Sequence, residues 1–148
     1  MVIKAPQNIS LRDKNKASIF LAGSIEMGSA EDWQTNTTRE LSLLYNIFNP
    51  RRDNWNSSWK QSFENPEFYQ QVNWELHALD KADLIIMYFD PNTKSPISLL
   101  EFGLYATSGK LRVVCEDGFW RKGNVDIVCN KYDIPLYNTL NDLLKKLV

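Results

Sequence analysis

The chain has few of the residues that usually carry metal or triad chemistry: one histidine, His77, and two cysteines, Cys115 and Cys129, in 148 residues. A zinc site made of Cys and His would need distant partners in an unusual mixture, and a Ser-His-Asp arrangement has a single candidate base. No metal site is expected. An excess of one charge is missing too, since seventeen basic and eighteen acidic residues leave a net charge of -1, and basic runs stop at pairs such as Arg51-Arg52. That leaves no electrostatic footprint for a nucleic-acid backbone. Long apolar runs are also absent. The opening MVIKAPQNISLRDKNK lacks an apolar core of signal-peptide length, and no stretch approaches a membrane span, so a cytoplasmic protein with reduced thiols and no membrane partner is expected.

What is present describes a folded domain. An apolar content of 43% with 12% aromatics is too high for a disordered chain, and the length suffices for one substantial core. Residues 1–16 are polar, contain Pro6, and read as an irregular arm, which leaves 17–148 as a single domain. From there short apolar runs alternate with helical patterns. Runs at 17–25, 45–48, 83–90, 111–115 and 134–137 read as strands, and helical patterns fill about 29–45, 65–81, 95–110, 124–131 and 139–147. That alternation predicts a five-stranded parallel sheet with helices on both faces.

In such sheets ligands bind outside the carboxyl ends of the strands. Three features follow strand ends here: the Gly23-Ser24 turn, the loop from Arg51 with Trp55 and Trp59, and the helix after Ser95. They are expected to converge on one crevice. The 51–65 loop is long for a compact domain, and such loops are often functional. Trp33, Trp55 and Trp59 could stack on a planar base or serve as core and loop anchors, and backbone amides at Gly23-Ser24 could hold a phosphate or sugar hydroxyl or form a simple tight turn. Glu26 beside that turn would repel a phosphate.

The helix at 95–110 is the most informative stretch. Ser95 reads as its cap, Pro96 as its first residue and Gly109 as its stop, with Ile97, Leu100, Leu104 and Tyr105 as the buried face. Glu101 stands within that face. In the preceding helix, whose apolar stripe reads Phe68, Val72, Leu76 and Leu79, Glu75 is a second acid on an inward side. Burying a carboxylate is costly, so both need a reason. One reason is catalysis, with Glu101 ionised near a helix start as nucleophile and Glu75 handling a leaving group's proton, as in retaining glycosyl transfer. The other is structural, with both acids in buried hydrogen bonds or ion pairs, for instance with Arg51 or Arg112.

Taken together, FLAGS at 20–24, NPRR at 49–52, Trp74-Glu75, the Ala82-Asp83 pair before an apolar strand, SPISLLEFGLYA at 95–106 and GNVDIVC at 123–129 resemble the nucleoside 2-deoxyribosyltransferase family. The resemblance covers about residues 17–132 and extends to the related 2'-deoxynucleoside 5'-phosphate N-hydrolases. It implies a flavodoxin-like, Rossmann-like three-layer sandwich and base exchange on 2'-deoxynucleosides without a cofactor. The substrates would be a nucleoside and a free nucleobase, with retention through a deoxyribosyl ester on Glu101. Glu75 stands where the family usually has a base-contacting aspartate. Ser95 matches a position that is aspartate in the transferases and a phosphate-contacting serine in the hydrolases. Gly23, Ser24, Arg51 and Trp55 are the remaining expected substrate contacts. Asn124 matches an asparagine lent by a neighbouring subunit, implying a homo-oligomer with shared sites. Phe20 replaces the family's orienting tyrosine, and Tyr88 or Tyr105 is the expected substitute. Hydrolysis of nucleosides or their 5'-monophosphates, and ligand sensing without turnover, are the alternatives.

Overall fold

The computed structural model describes residues 1–25 and 32–148; the expected role of Glu26 and the first residues of the helix expected from about 29 lie outside them. The strands are β1 (Val2–Lys4), β2 (Ser18–Gly23), β3 (Asn46–Asn49), β4 (Leu84–Phe89), β5 (Leu111–Cys115) and β6 (Leu136–Tyr137). Helices α1 (Trp33–Leu41), α2 (Pro66–Lys81), α3 (Pro96–Tyr105), α4 (Lys122–Lys131) and α5 (Leu140–Leu144) connect or follow them. All pairings are parallel, in the order β1-β3-β2-β4-β5-β6. The sheet is α/β as expected but has six strands rather than five.

The sixth strand corrects the reading of 1–16 as an irregular arm. Val2 to Lys4 pair with Ile47 to Asn49, and Ile3 is buried. Asn46 then ties down the next stretch, its Nδ2 donating to the carbonyls of Asp13 and Lys16 while its Oδ1 accepts from the Asp13 N–H. Three residues with one inward side chain are too short for period-2 alternation to register.

Strands β2 and β4 sit at the centre and carry apolar residues on both sides, as a doubly covered sheet requires. On one side Phe20, Ala22, Ile85, Met87 and Phe89 pack against Trp74, Ala78, Leu79, Phe102 and Val125 of α2, α3 and α4. On the other side Ile19, Leu21, Ile86 and Tyr88 meet Trp33, Leu41, Leu143 and Leu144 of α1 and α5. Each of these large side chains contributes about 1.5–3 kcal/mol by leaving water.

Two predicted helix faces are rotated. In α2 the buried residues are Gln71, Trp74, Ala78 and Leu79, whereas Leu76 is 39% exposed. In α3 they are Ser98, Glu101 and Phe102, while Ile97, Leu100 and Leu104 are 60%, 60% and 57% exposed. Periodicity counts apolar residues and cannot tell a core face from an outward apolar stripe. No helix among the described residues is long and apolar enough to cross a membrane.

Candidate active site

Parallel pairing in the order β3-β2-β4 sends the chain out of neighbouring strands at one edge, at Asn49, Gly23 and Phe89. Gly23 closes β2 with φ +140, and a Cβ there would lie 2.9 Å from the Tyr88 nitrogen, nearer still to the Tyr88 carbonyl oxygen, and 3.1 Å from the Trp33 ring. Only glycine accepts both the dihedral and the close approach. Ser24 follows, buried, its N–H donating to the Tyr88 carbonyl at 3.1 Å.

Its hydroxyl anchors the next segment. Ser24 Oγ lies 2.8 Å from Thr93 Oγ1 and forms a short hydrogen bond with Ser95 Oγ, while Thr93 Oγ1 and Ser95 Oγ are 2.7 Å apart. The three buried hydroxyls pin the 90–95 loop to the end of β2 and so fix where α3 starts, six residues before Glu101. Ser95 is the residue before α3, as predicted, but with φ 49 it is left-handed and its side chain makes no capping bond. The hydroxyl cluster takes that side chain instead.

Glu101 is 8% exposed on the inward side of α3. Glu75 is partly buried on α2 and accepts at 2.7 Å from Gln71 Nε2. Among the described residues no hydrogen bond holds the Glu101 carboxylate, and salt bridges form elsewhere, at Lys4–Asp53, Arg51–Asp32 and Lys122–Asp126. The suggested arginine partners are engaged otherwise: Arg51 Nη1 donates to Gln34 Oε1 at 3.2 Å and Asp32 Oδ1 at 3.4 Å, and Arg112 Nη1 to the Gly109 and Leu111 carbonyls.

Burial pushes the Glu101 carboxyl up to about 8, and the charge on Glu75 adds to the rise. Burial likewise raises Glu75 to about 7, against the downward pull of the Gln71 N–H. The expectation that the helix dipole keeps Glu101 ionised is therefore overturned. A dipole acts within the first turn and is worth about 1 kcal/mol or less at most sites, whereas desolvation of a buried carboxylate costs more. Burial thus favours the protonated form of both acids near neutral pH, and of Glu101 the more strongly.

The proposed tyrosine substitutes do not orient Glu101. Tyr88 lies on the α1/α5 side, with its hydroxyl 3.2 Å from Glu116 Oε1 and its ring 5.3 Å from Trp33. Tyr105 is within electrostatic reach of Glu101, but its hydroxyl donates to Asp80 Oδ1 at 2.6 Å. Phe20 is buried, 6.4 Å from the Trp74 ring.

The other expected contacts have these surroundings. Trp55 is 37% exposed in an edge-to-face pair with Trp59, Arg51 turns toward Asp32, and Asn124 is exposed in the first turn of α4. Trp33 is a core residue whose indole N–H donates to the Ser24 carbonyl. A cleft of about 320 Å³ lies by α1 and α5, lined by Trp33, Tyr88, Glu116 and Leu144 among others, and neither carboxylate borders it. Gln71 and Thr93 were missed from sequence. The signal for Gln71 was its position four residues before Glu75, where helical side chains meet.

The comparison with curated proteins finds no match. A crystal structure described as a conserved protein from Enterococcus faecalis V583 is similar in fold, with a TM-score of 0.62 over 89% of this chain and 97% of that one, at 13% identity. Residues 16–119 match the family model described as nucleoside 2-deoxyribosyltransferase like, a stretch that contains Gly23, Ser24, Glu75, Ser95 and Glu101. That match spans more than half of the sequence, so the chain belongs to the nucleoside 2-deoxyribosyltransferase-like family.

Proposed function

We propose that the protein exchanges the base of 2'-deoxynucleosides by double displacement at Glu101. The observation that carries this reading is a buried carboxylate with no partner among the described residues, electrostatically coupled to a second acid on the neighbouring helix. A purely structural site would pair such a group. The reacting form is the less populated one in which the proton sits on Glu75 rather than on the more strongly raised Glu101; in it Glu101 attacks C1', a C–O bond forms, and the C1'–N bond breaks with its electrons going to the base nitrogen. Protonated Glu75 delivers its proton to that base. A second base then attacks C1', returns a proton to Glu75 and releases Glu101, so configuration is retained. Oxidation states do not change, and the scheme uses no cofactor. If water resolves the ester instead, the same residues make an N-glycosidase.

Incubation with a deoxynucleoside and a different free base, followed by chromatography, tests the proposal. Exchange product that disappears in Glu101→Ala supports it. Free base without exchange product would assign hydrolysis, and binding with no turnover in either protein would assign a sensor. The working form needs one proton on the pair, so kcat/KM is expected to peak between about pH 7 and 8 and to fall on both sides.

The site is also proposed to be shared in a homo-oligomer. Ile97, Leu100 and Leu104 form an exposed apolar stripe at i, i+3 and i+7 on the helix that carries Glu101, and Asn124 is exposed on α4. Helices associate along stripes with this spacing, and a copy docked there could present Asn124 to its neighbour's substrate. Leu100→Arg is expected to give a monomer by light scattering and to lower exchange by at least about tenfold, as loss of a central interface anchor does. An unchanged assembly would place the interface elsewhere.

A further inference from the structure

The family match begins at residue 16, yet the residues before it reach the helix that carries Glu75. Strand β1 pairs with β3, and beyond it the Gln7 N–H donates to the Lys4 carbonyl at 2.8 Å while Gln7 Oε1 accepts from the Lys4 N–H at 2.9 Å. That reciprocal pair closes a turn and presents the Gln7 carbonyl to α2. The indole N–H of Trp74 donates to this carbonyl at 2.7 Å, across 67 positions of sequence. Trp74 is 9% exposed and immediately precedes Glu75. Three residues earlier, Gln71 Nε2 donates to the Pro50 carbonyl at 2.9 Å, just past the end of β3. Side chains at i and i+3 are neighbours on a helix. Two bonds one turn apart therefore hold α2 to main-chain carbonyls on the β1–β3 side of the sheet.

We propose that Trp74 is a positioning residue for the acid pair, and that the segment before residue 16, by offering the Gln7 carbonyl, sets the rotation of α2 and with it the place of Glu75 relative to Glu101. This rests on the proposed base exchange, in which Glu75 hands its proton to the leaving base. A helix with its side chains is about 10–12 Å across, so a carboxylate rides about 5–6 Å from the axis and a roll of about 15° carries it about 1.5 Å. A misplacement of about 1 Å can cost about a hundredfold in rate. The contact of Trp74 with Phe20 buries apolar surface, and burial has no direction of its own. The indole has a single N–H, and its bond gives α2 a directional stop. Charged neighbours do not supply one. Glu101 approaches Glu75 from α3 as a like charge, Arg51 beside Pro50 is bonded to Asp32 and Gln34, and Lys4 of β1 is bonded to Asp53. Among the described residues no cation pairs with Glu75, so hydrogen bonding and the set of the helix place its carboxyl.

Trp74→Phe keeps an aromatic ring against Phe20 and removes the N–H. It is expected to lower kcat for base exchange by about ten- to a hundredfold while KM stays within about threefold, because the lost placement acts on the proton transfer. Carbon-13 NMR titration of the glutamate side chains supplies a measurement that needs no turnover. In wild type burial holds the Glu75 carboxyl up to about 7. A rolled α2 brings that carboxyl to water, so in Trp74→Phe it is expected to bind its proton at least about tenfold more weakly, toward the ordinary 4.5. Gln7→Ala, which takes away the acceptor of the Lys4 N–H and loosens the turn, is expected to move it the same way by less, and it gives the answer should Trp74→Phe not fold. A Glu75 midpoint unmoved in the folded variants overturns the proposal whatever the melting temperature does, and so does a loss confined to KM. Should wild type show no exchange, base exchange itself fails and the titration alone decides on Trp74, a weakened Glu75 proton upholding its role and an unchanged one rejecting it.

Discussion

Glu101→Gln is expected to reduce base exchange by roughly a thousandfold or more, because the amide cannot form the deoxyribosyl ester. The same substitution should make the protein more stable in alkaline solution. The Glu101 carboxyl rises from an ordinary 4.5 to about 8 in the folded protein, chiefly through burial. Between those two values the native state binds more protons than the unfolded chain, so wild-type stability falls as pH rises through that window and levels off above it. Each tenfold difference in proton affinity corresponds to about 1.4 kcal/mol. Glutamine carries no such liability. Melting curves at pH 5 should nearly coincide for the two proteins, while at pH 9 the variant should melt at least about 5 °C higher. A gap of equal size at both pH values would mean that Glu101 is not a desolvated, unpaired acid. Gain of stability with loss of function is what a strained catalytic group produces.

Gly23→Ala is expected to cost about 3–5 kcal/mol, at the upper end for a single substitution. The added methyl would press on the Tyr88 carbonyl and nitrogen inside the β2–β4 pairing, at a dihedral that alanine avoids. Relief requires the two central strands to part where Ser24 hands its hydroxyl to Thr93 and Ser95. Gly103 provides the contrast. Nothing lies within 4 Å of a Cβ at that position in α3, so Gly103→Ala should be neutral or stabilise by about 0.5–1 kcal/mol through helix propensity. Urea midpoints of the two variants check this, and similar values would show that close approach at Gly23 is not limiting.

Much of this architecture could be read from residue patterns. The five predicted runs each hold all or most of a strand because each has an apolar centre, and the two misplaced acids stood out because burial of charge is rare. The reading of Val2–Lys4 failed because one inward side chain, Ile3, gives no period. Ile97, Leu100 and Leu104 were assigned to the core because a helix facing a partner has the same pattern as one facing a sheet. The ionisation of Glu101 was misjudged for a different reason. The helix start is visible in sequence, but the depth of burial and the nearness of Glu75 come from how α2 and α3 lie on the sheet. Partners of hydroxyls and amides are equally hidden, since Ser95 meets Ser24 across 71 positions. Gln71 alone left a trace, at helical spacing from Glu75.

The central claim is that the Glu101 carboxylate becomes covalently joined to deoxyribose. Protein mixed with a deoxynucleoside and quenched in acid should show, by intact mass and peptide mapping, one added deoxyribosyl group on the peptide that contains Glu101. The adduct should discharge when a second base is supplied and be missing from Glu101→Gln. An adduct on another residue, or base exchange that proceeds undiminished in Glu101→Gln, would contradict the account.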